Sequence, residues 1–344
     1  MSKTEPAQVF GRRGFERRVF GRRVAFLVGG LVLLTVAAVA SVSVGAHGVP
    51  LEEVWRALTA YAGTDDHLIV RDVRGPRTVL GIAVGAALGV SGALIQAMTR
   101  NPLAEPGLLG VTSGSGFAIT LGGALGLGGS QPAQLTLAAI GAVLVAALVY
   151  AVGRTSPLRL VLTGLALSSV LAGLSLGLRL MLPDVFDEYR FWSIGTLAGR
   201  EQAPLTLPLL VIAGAVLGAL ALSRSLGTLA LGEQVAHGLG GHVTRTRVTA
   251  LLIVTLLAGA ATAVAGPITF AGLIVPHLVR RAAGGSVGWL IALTMVVGPV
   301  LLVAADVVAR ILLPTGEVPV GVVTAFLGGP ALIWAVRRYG TVSL

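Results

Sequence analysis

No cysteine occurs in the 344-residue sequence. That excludes disulfides, thiolate metal ligands and cysteine nucleophiles. Lysine is nearly missing as well: of 25 basic residues only Lys3 is a lysine. A phosphate-binding P-loop places a lysine on the nucleotide, so this chain carries no P-loop. The five histidines, His47, His67, His237, His242 and His277, lack metal-ligand spacing, and no metal or other cofactor is expected in the chain. Charge is also scarce, at 12% of residues against roughly 25% in soluble domains.

What is present is apolar: 55% of residues are hydrophobic, in long blocks of Leu, Val, Ala and Ile. A bilayer core takes about 20 such residues per helix, and the alternating strands of a barrel are absent from the pattern. The expected fold is an all-α polytopic membrane protein of about ten transmembrane helices. The predicted spans are 24–46, 75–98, 107–127, 132–153, 158–182, 204–223, 246–266, 268–282, 287–311 and 319–336. Such a number is compatible with two sets of five, a plan found in transporters. Around one transmembrane domain, 24–338, lie a basic N-terminal segment, 1–23, and a short tail, 339–344.

These spans place both termini on one side. That side carries Lys3, Arg12, Arg13, Arg17, Arg18, Arg22, Arg23, Arg100, Arg154, Arg159, Arg224, Arg245, Arg247, Arg280, Arg281, Arg337 and Arg338. The other side has only Arg56, Arg71, Arg74, Arg77, Arg179, Arg190, Arg200 and Arg310. The positive-inside rule makes the terminal side cytoplasmic. Paired arginines before an apolar run ending "VSVGAH" also resemble a signal peptide. The run is longer than the 7–15 residues of a signal core, so an uncleaved first helix is expected.

Polar residues inside spans are costly and informative. Asp306 is the clearest, and Arg310 four residues later can share its helix face. One acid near a helix end is poor material for a proton relay, and no selectivity filter is visible. An apolar pathway worked from outside fits better than an ion-coupled transporter, which stays as the rival reading.

The polar loops therefore carry the interest. "VRGPRTVL" puts Arg74 and Arg77 at the outer mouth of the second span, where they either snorkel to headgroups or receive an acidic partner. "TRNPLAEPGLLG" forms the inner connection between the second and third spans; it is a tight turn or a constriction. "LGTLALGEQVAHGLGG", 226–241, is too short to span. As a helix it sets Leu231, Val235 and Leu239 on one stripe, with Glu233 and His237 opposite. With no basic residue between Arg224 and Arg245, it suits a groove in a partner protein better than a membrane surface.

Four motifs in order, "RGPRTVLGIAVGAALGVSGALIQAMTRNPLAEPGLLGV", "LALGEQVAHGLG", "GPITFAGLIVPHLVR" and "ADVVARILLPTGEVPVGVVTAFLGGPALIW", resemble the FecCD-type permeases of iron–siderophore, haem and cobalamin ABC importers. The resemblance covers about residues 24–338. It implies a dimer of permease subunits, homo- or heteromeric, in a bacterial inner membrane with membrane lipid around it. It further implies two cytoplasmic ATPase subunits that bind the ATP, and a substrate-binding protein outside; no nucleic acid is involved. The chain itself is then no enzyme, and a ferric-siderophore-type chelate is the expected cargo, with haem or cobalamin as alternatives. Arg74, Arg77 and Arg310 resemble the arginines that receive acidic residues of the binding protein. Asn101 and Leu103 resemble residues near the cytoplasmic gate, and Thr155 and Ser156 in "GRTSPLRL" fall where its second segment belongs. Segment 225–241 resembles the coupling helix that enters the ATPase, with Gly232 and Glu233 at its start, His237 within it and Gly240 at its end. "RRAAGGSVGW" departs from the family in lacking the Asp-His pair that often follows the Pro-His-x-x-Arg motif.

Overall fold

A computed structural model describes residues 7–153, 156–200, 204–313 and 316–339. Apart from one bridge between Leu313 and Gly316, the regular structure of these residues is entirely helical. Along the chain run α1 (Ala7–Ser43), α2 (Leu51–Thr59), α3 (Asp65–Leu68), α4 (Gly75–Thr99), α5 (Val111–Ala124), α6 (Gln131–Gly153) and α7 (Pro157–Met181). There follow α8 (Pro183–Ser193), α9 (Thr206–Ala230), α10 (Glu233–Gly238), α11 (Val243–Ala265), α12 (Ala271–Ala283), α13 (Val287–Ile311) and α14 (Val320–Tyr339). A π-helical turn, Ile69–Arg74, joins α3 to α4 without a break.

Among the described residues, 7 helices are long and apolar enough to cross a membrane: Val19–Ser43, Asp65–Thr99, Gln131–Gly153, Leu158–Met181, Thr206–Ala230, Val243–Ala265 and Val287–Ile311. The other predicted spans meet shorter helices, α5, α12 and α14. The central helix is α4, buried on nearly every face; it packs most extensively on α13 and also on α9, α11 and α12. The two sets of five are thus not separate bodies, because α4 of the first set lies within the second. Helices α1, α7 and α9 bury one stripe and turn Leu, Val and Phe outward, as lipid-facing helices do.

Of the shorter helices, α5 follows a 3-10 turn, Pro106–Leu109, and α12 follows non-helical chain, and the two connections meet inside the bundle. Gly272 at the start of α12 lies against Pro106 and the Leu88 carbonyl, and Gly92 of α4 approaches the Gly272 backbone. Gly92 is seven residues from the end of α4, which places this contact roughly 10 Å inside the bundle. Irregular backbone at such depth must find its hydrogen bonds in protein. It does: Gln96 Nε2 donates to the Ala104 carbonyl at 3.3 Å and to the Leu273 carbonyl at 3.4 Å, and the Phe270 amide donates to Glu105 Oε1 at 2.9 Å.

Contacts define the two ends of the bundle. At the terminal end, Arg23 of α1 donates to the Ala283 carbonyl at 2.8 Å and Arg22 to the Arg281 carbonyl at 3.2 Å. Cations at the C-terminus of α12 complement its dipole, and Arg23 also lies 5.8 Å from the Trp289 ring centroid. At the far end, Ser41 of α1 meets Arg310 of α13.

Candidate functional site

The far-end arginines lie inside the bundle. Arg74, Arg77 and Arg310 are all buried, each held by a different logic. Arg74, at the last π-helical turn, donates to carbonyls at and beyond the end of α1: Val42 at 3.0 Å and Ser43 at 2.9 Å from Nη1, and His47 in the following loop from Nη2. Arg77, on the first turn of α4, forks onto Asp306, with Nη2 to Oδ1 at 2.8 Å and Nε to Oδ2 at 3.1 Å. Its Nη1 reaches Glu317 Oε2 at 2.7 Å. Arg310 binds Asp306 through Nε at 3.0 Å and through Nη2, and donates to the Ser41 carbonyl at 2.6 Å.

Asp306 is therefore the shared anchor of two guanidinium groups, and its i, i+4 pairing with Arg310 is the one that spacing alone allowed. The Ser41 and Thr78 hydroxyls complete the network at 2.7 Å. Such fork geometry is the strongest form of charged hydrogen bond, and it ties the far ends of α1, α4 and α13 together. The guanidinium groups are turned inward, and the exposed charge of the cluster is the carboxylate of Glu317, whose side chain is 39% exposed.

At the terminal end, α4 stops at Arg100, which has left-handed backbone (φ 53°). Asn101 then makes a local turn, its Oδ1 accepting from the Leu103 amide at 2.9 Å. Leu103 is exposed and joins Pro102, Leu273, Ile274, His277 and Trp334 around an apolar cavity of about 80 Å³. Ser156 caps α7, accepting from the Arg159 amide at 3.2 Å; it faces Met98, Thr99 and Gly153 rather than Leu103. Thr155 lies outside the described residues.

Glu105, Gln96 and Arg280 are polar groups that sequence reasoning did not single out. Arg280 donates to Gln96 Oε1, so the "NPLAEP" segment, α4 and α12 are joined by one polar chain. The available signal was an acid between two prolines in an otherwise acid-free inner loop. Its carboxylate caps the broken helix at Phe270, whose φ of 65° is unusual for a non-glycine. Glu105→Ala strips the Phe270 amide of its partner at depth and is expected to cost about 1–3 kcal/mol. Glu105→Gln keeps an acceptor and should cost less. Thermal unfolding of both variants in detergent tests this; equal losses would show that the charge, not the cap, matters.

The segment after α9 differs from its expected form. Helix α9 runs on to Ala230 because nothing before Gly232 breaks it, so 225–230 belong to α9. Gly232 (φ 116°) makes the corner, α10 covers only Glu233–Gly238, and Gly240 (φ 76°) lies just beyond its C-cap, Leu239. The expected single stripe is therefore broken, with Leu231 before the Gly232 corner and Leu239 at the cap of α10, but all three apolar residues are exposed: Leu231 68%, Val235 46% and Leu239 65%. Glu233 is bound to Arg247 of α11, and Ala236 is buried, which fastens the inner face. Both leucines lie outside, while the half-exposed acid is tied to the neighbouring helix.

The profile of the FecCD transport family matches residues 33–338. The chain belongs to that family. It is 46% identical over 323 residues to the ferric enterobactin transport system permease protein FepD of Escherichia coli K12, covering 91% of this chain and 96% of that protein. It is 40% identical over 329 residues to the iron(3+)-hydroxamate import system permease protein FhuB of Bacillus subtilis 168, covering 93% of this chain and 85% of that one. Among solved structures it is similar to a metal-chelate type ABC transporter in an inward-facing conformation, with TM-score 0.79, 29% identity and coverage of 92% and 99%. This FecCD permease is thus a transport subunit without ATPase activity of its own, and ATP is bound by separate subunits of the importer.

Proposed function

We propose that this FecCD permease forms the membrane pathway for a ferric-siderophore-type chelate. An outside binding protein delivers the chelate, and two ATPase subunits drive its passage. The observation that carries the reading is near full-length similarity to permeases named for ferric siderophores. In this reading α5, α12 and α14 complete ten spans within the 24–338 domain, both termini are cytoplasmic, and a second permease subunit pairs with this one. Segments 1–23 and 339–344 flank the domain in the cytoplasm. The far-end cluster of Arg74, Arg77 and Arg310 is the docking end for acidic residues of the binding protein. Asn101, Leu103, Thr155 and Ser156 belong to the cytoplasmic gate. Gly232, Glu233, His237 and Gly240 shape the segment that enters the ATPase.

In this reading the cargo passes unchanged, and the described residues contribute helices joined by polar clasps. Force applied at α10 passes to α9 through the Gly232 corner and to α11 through the Glu233–Arg247 pair. Both helices pack on α4, which ends in the Asn101–Leu103 turn.

Uptake of a ferric siderophore into vesicles containing the complete importer should require ATP and the binding protein. Uptake that persists without the ATPase and collapses with an uncoupler would sink the proposal. Val235 gives a sharper test, because it is exposed and its change leaves the core intact. Val235→Asp should release the ATPase subunits on purification and lower uptake at least about tenfold, a loss of ~1.4 kcal/mol or more in association. Normal copurification would remove α10 from the ATPase contact.

A further inference from the structure

The two carboxylates of the far-end cluster are not equivalent. Asp306 is buried on α13 and accepts from both Arg77 and Arg310. Glu317 touches one donor, Arg77 Nη1 at 2.7 Å, and its side chain is 39% exposed. It sits between α13 and α14 on non-helical chain that is pinned beside it by the Val318 amide on the Ala309 carbonyl at 3.0 Å. One edge of the Arg77 guanidinium is therefore fixed by a buried acid. The other edge is met by an acid already partly in water, which makes it the easier of the two to displace.

We propose that Glu317 is a built-in placeholder. It occupies Arg77 Nη1 in the undocked permease and gives that position up to a carboxylate of the binding protein. This rests on the docking reading above, and it resolves a difficulty in it: a buried, fully paired arginine offers an incoming acid nothing unless one of its partners can be exchanged. Glu317 supplies the exchangeable partner. Exchange swaps one carboxylate for another on the same nitrogen, so Arg77 Nη1 never stands without an acceptor in the buried site, a state that would be costly. It also makes docking competitive. While Glu317 is seated, the receptive form of the cluster is only fractionally populated, and apparent affinity falls by that fraction. Without Glu317, the cluster would hold Arg74, Arg77 and Arg310 against Asp306, with Asp66 acting on Arg74 alone, attracting acids more strongly and raising the association rate.

The test uses the complete importer in nanodiscs, titrated with its binding protein at about 50 mM and about 500 mM salt, a range over which exposed charges pass from weakly to strongly screened. Glu317→Gln and Glu317→Ala are both expected to bind roughly tenfold tighter than wild type at low salt, with faster association and an advantage that shrinks at high salt. Unchanged or weaker binding of both variants overturns the placeholder. The wild-type arm judges the docking reading separately. Wild-type binding indifferent to salt defeats electrostatic docking itself, whereas salt-weakened wild-type binding with unimproved variants defeats only the role of Glu317.

Discussion

Asp306→Ala should be among the most damaging single changes in this permease, costing about 3–5 kcal/mol. The carboxylate is 2% exposed and neutralises Arg77 on α4 and Arg310 on its own helix. Removing it leaves two guanidinium groups buried with too little negative charge, since Glu317 reaches only Arg77. The site has three poor ways to respond. It can admit water, turn the arginines outward and open the far ends of α1, α4 and α13, or stay closed around unpaired cations. Each lowers the stability of the bundle at the point where those helices are tied. Thermal unfolding of the purified permease in detergent measures the loss. The double variant Asp306→Ala, Arg310→Leu should recover part of it, because the second change removes one of the stranded charges; coupling of about 0.5–3 kcal/mol is typical of directly paired groups. An Asp306→Ala protein that unfolds like wild type would falsify the view that this acid anchors the cluster.

How much of that anchor was legible follows from the physics of sequence distance. The i, i+4 step from Asp306 to Arg310 is local, so helix geometry alone predicts it. Arg77 joins the same carboxylate from 229 residues away, and no period or motif encodes that meeting. Arg74, Arg77 and Arg310 were visible as arginines at an outer mouth, a position that suggested surface roles. Burial of Arg74 rests on the carbonyls of Val42 and Ser43 at the end of α1 and of His47 beyond it, and backbone acceptors leave no trace in composition. Glu105 was overlooked for a similar reason: its partner is the amide of Phe270. Helices α5 and α12 came out shorter than their apolar runs because hydropathy measures solubility in lipid. It is blind to where buried turns such as 101–110 are satisfied by Gln96 and Glu105. The single stripe expected of 226–241 is cut at Gly232, a corner that a helical wheel does not register, although Leu231, Val235 and Leu239 are all exposed. Glu233 is held by Arg247 of α11, a contact that periodicity does not encode.

The glycines of α4 carry the second large effect, and here sequence and structure meet closely. Gly81, Gly85 and Gly89 recur every four residues, the spacing that brings one helix face against another backbone. That face lies on α13. A Cβ at Gly85 would lie 2.6 Å from the Gly298 carbonyl oxygen, and one at Gly298 would collide in turn with the Gly85 carbonyl. At Gly89 it would lie 2.8 Å from the Thr294 carbonyl, and at Gly92 it would strike the Gly272 carbonyl at the head of α12. These obstacles are backbone atoms inside helices, so no side chain can rotate away; relief requires moving α4 off α13 or α12. Gly85→Ala and Gly92→Ala are each expected to cost about 1–3 kcal/mol or more, as overpacked cores do. They should also impair uptake, since α4 joins the far-end cluster to the Asn101–Leu103 turn. Gly29→Ala in α1 is the control: a Cβ there meets nothing within 4 Å, and alanine is the better helix former by about 1 kcal/mol. Its stability should equal or exceed wild type. If all three substitutions shift the unfolding temperature alike, the loss comes from generic glycine replacement and the close approach of α4 is not what holds this bundle.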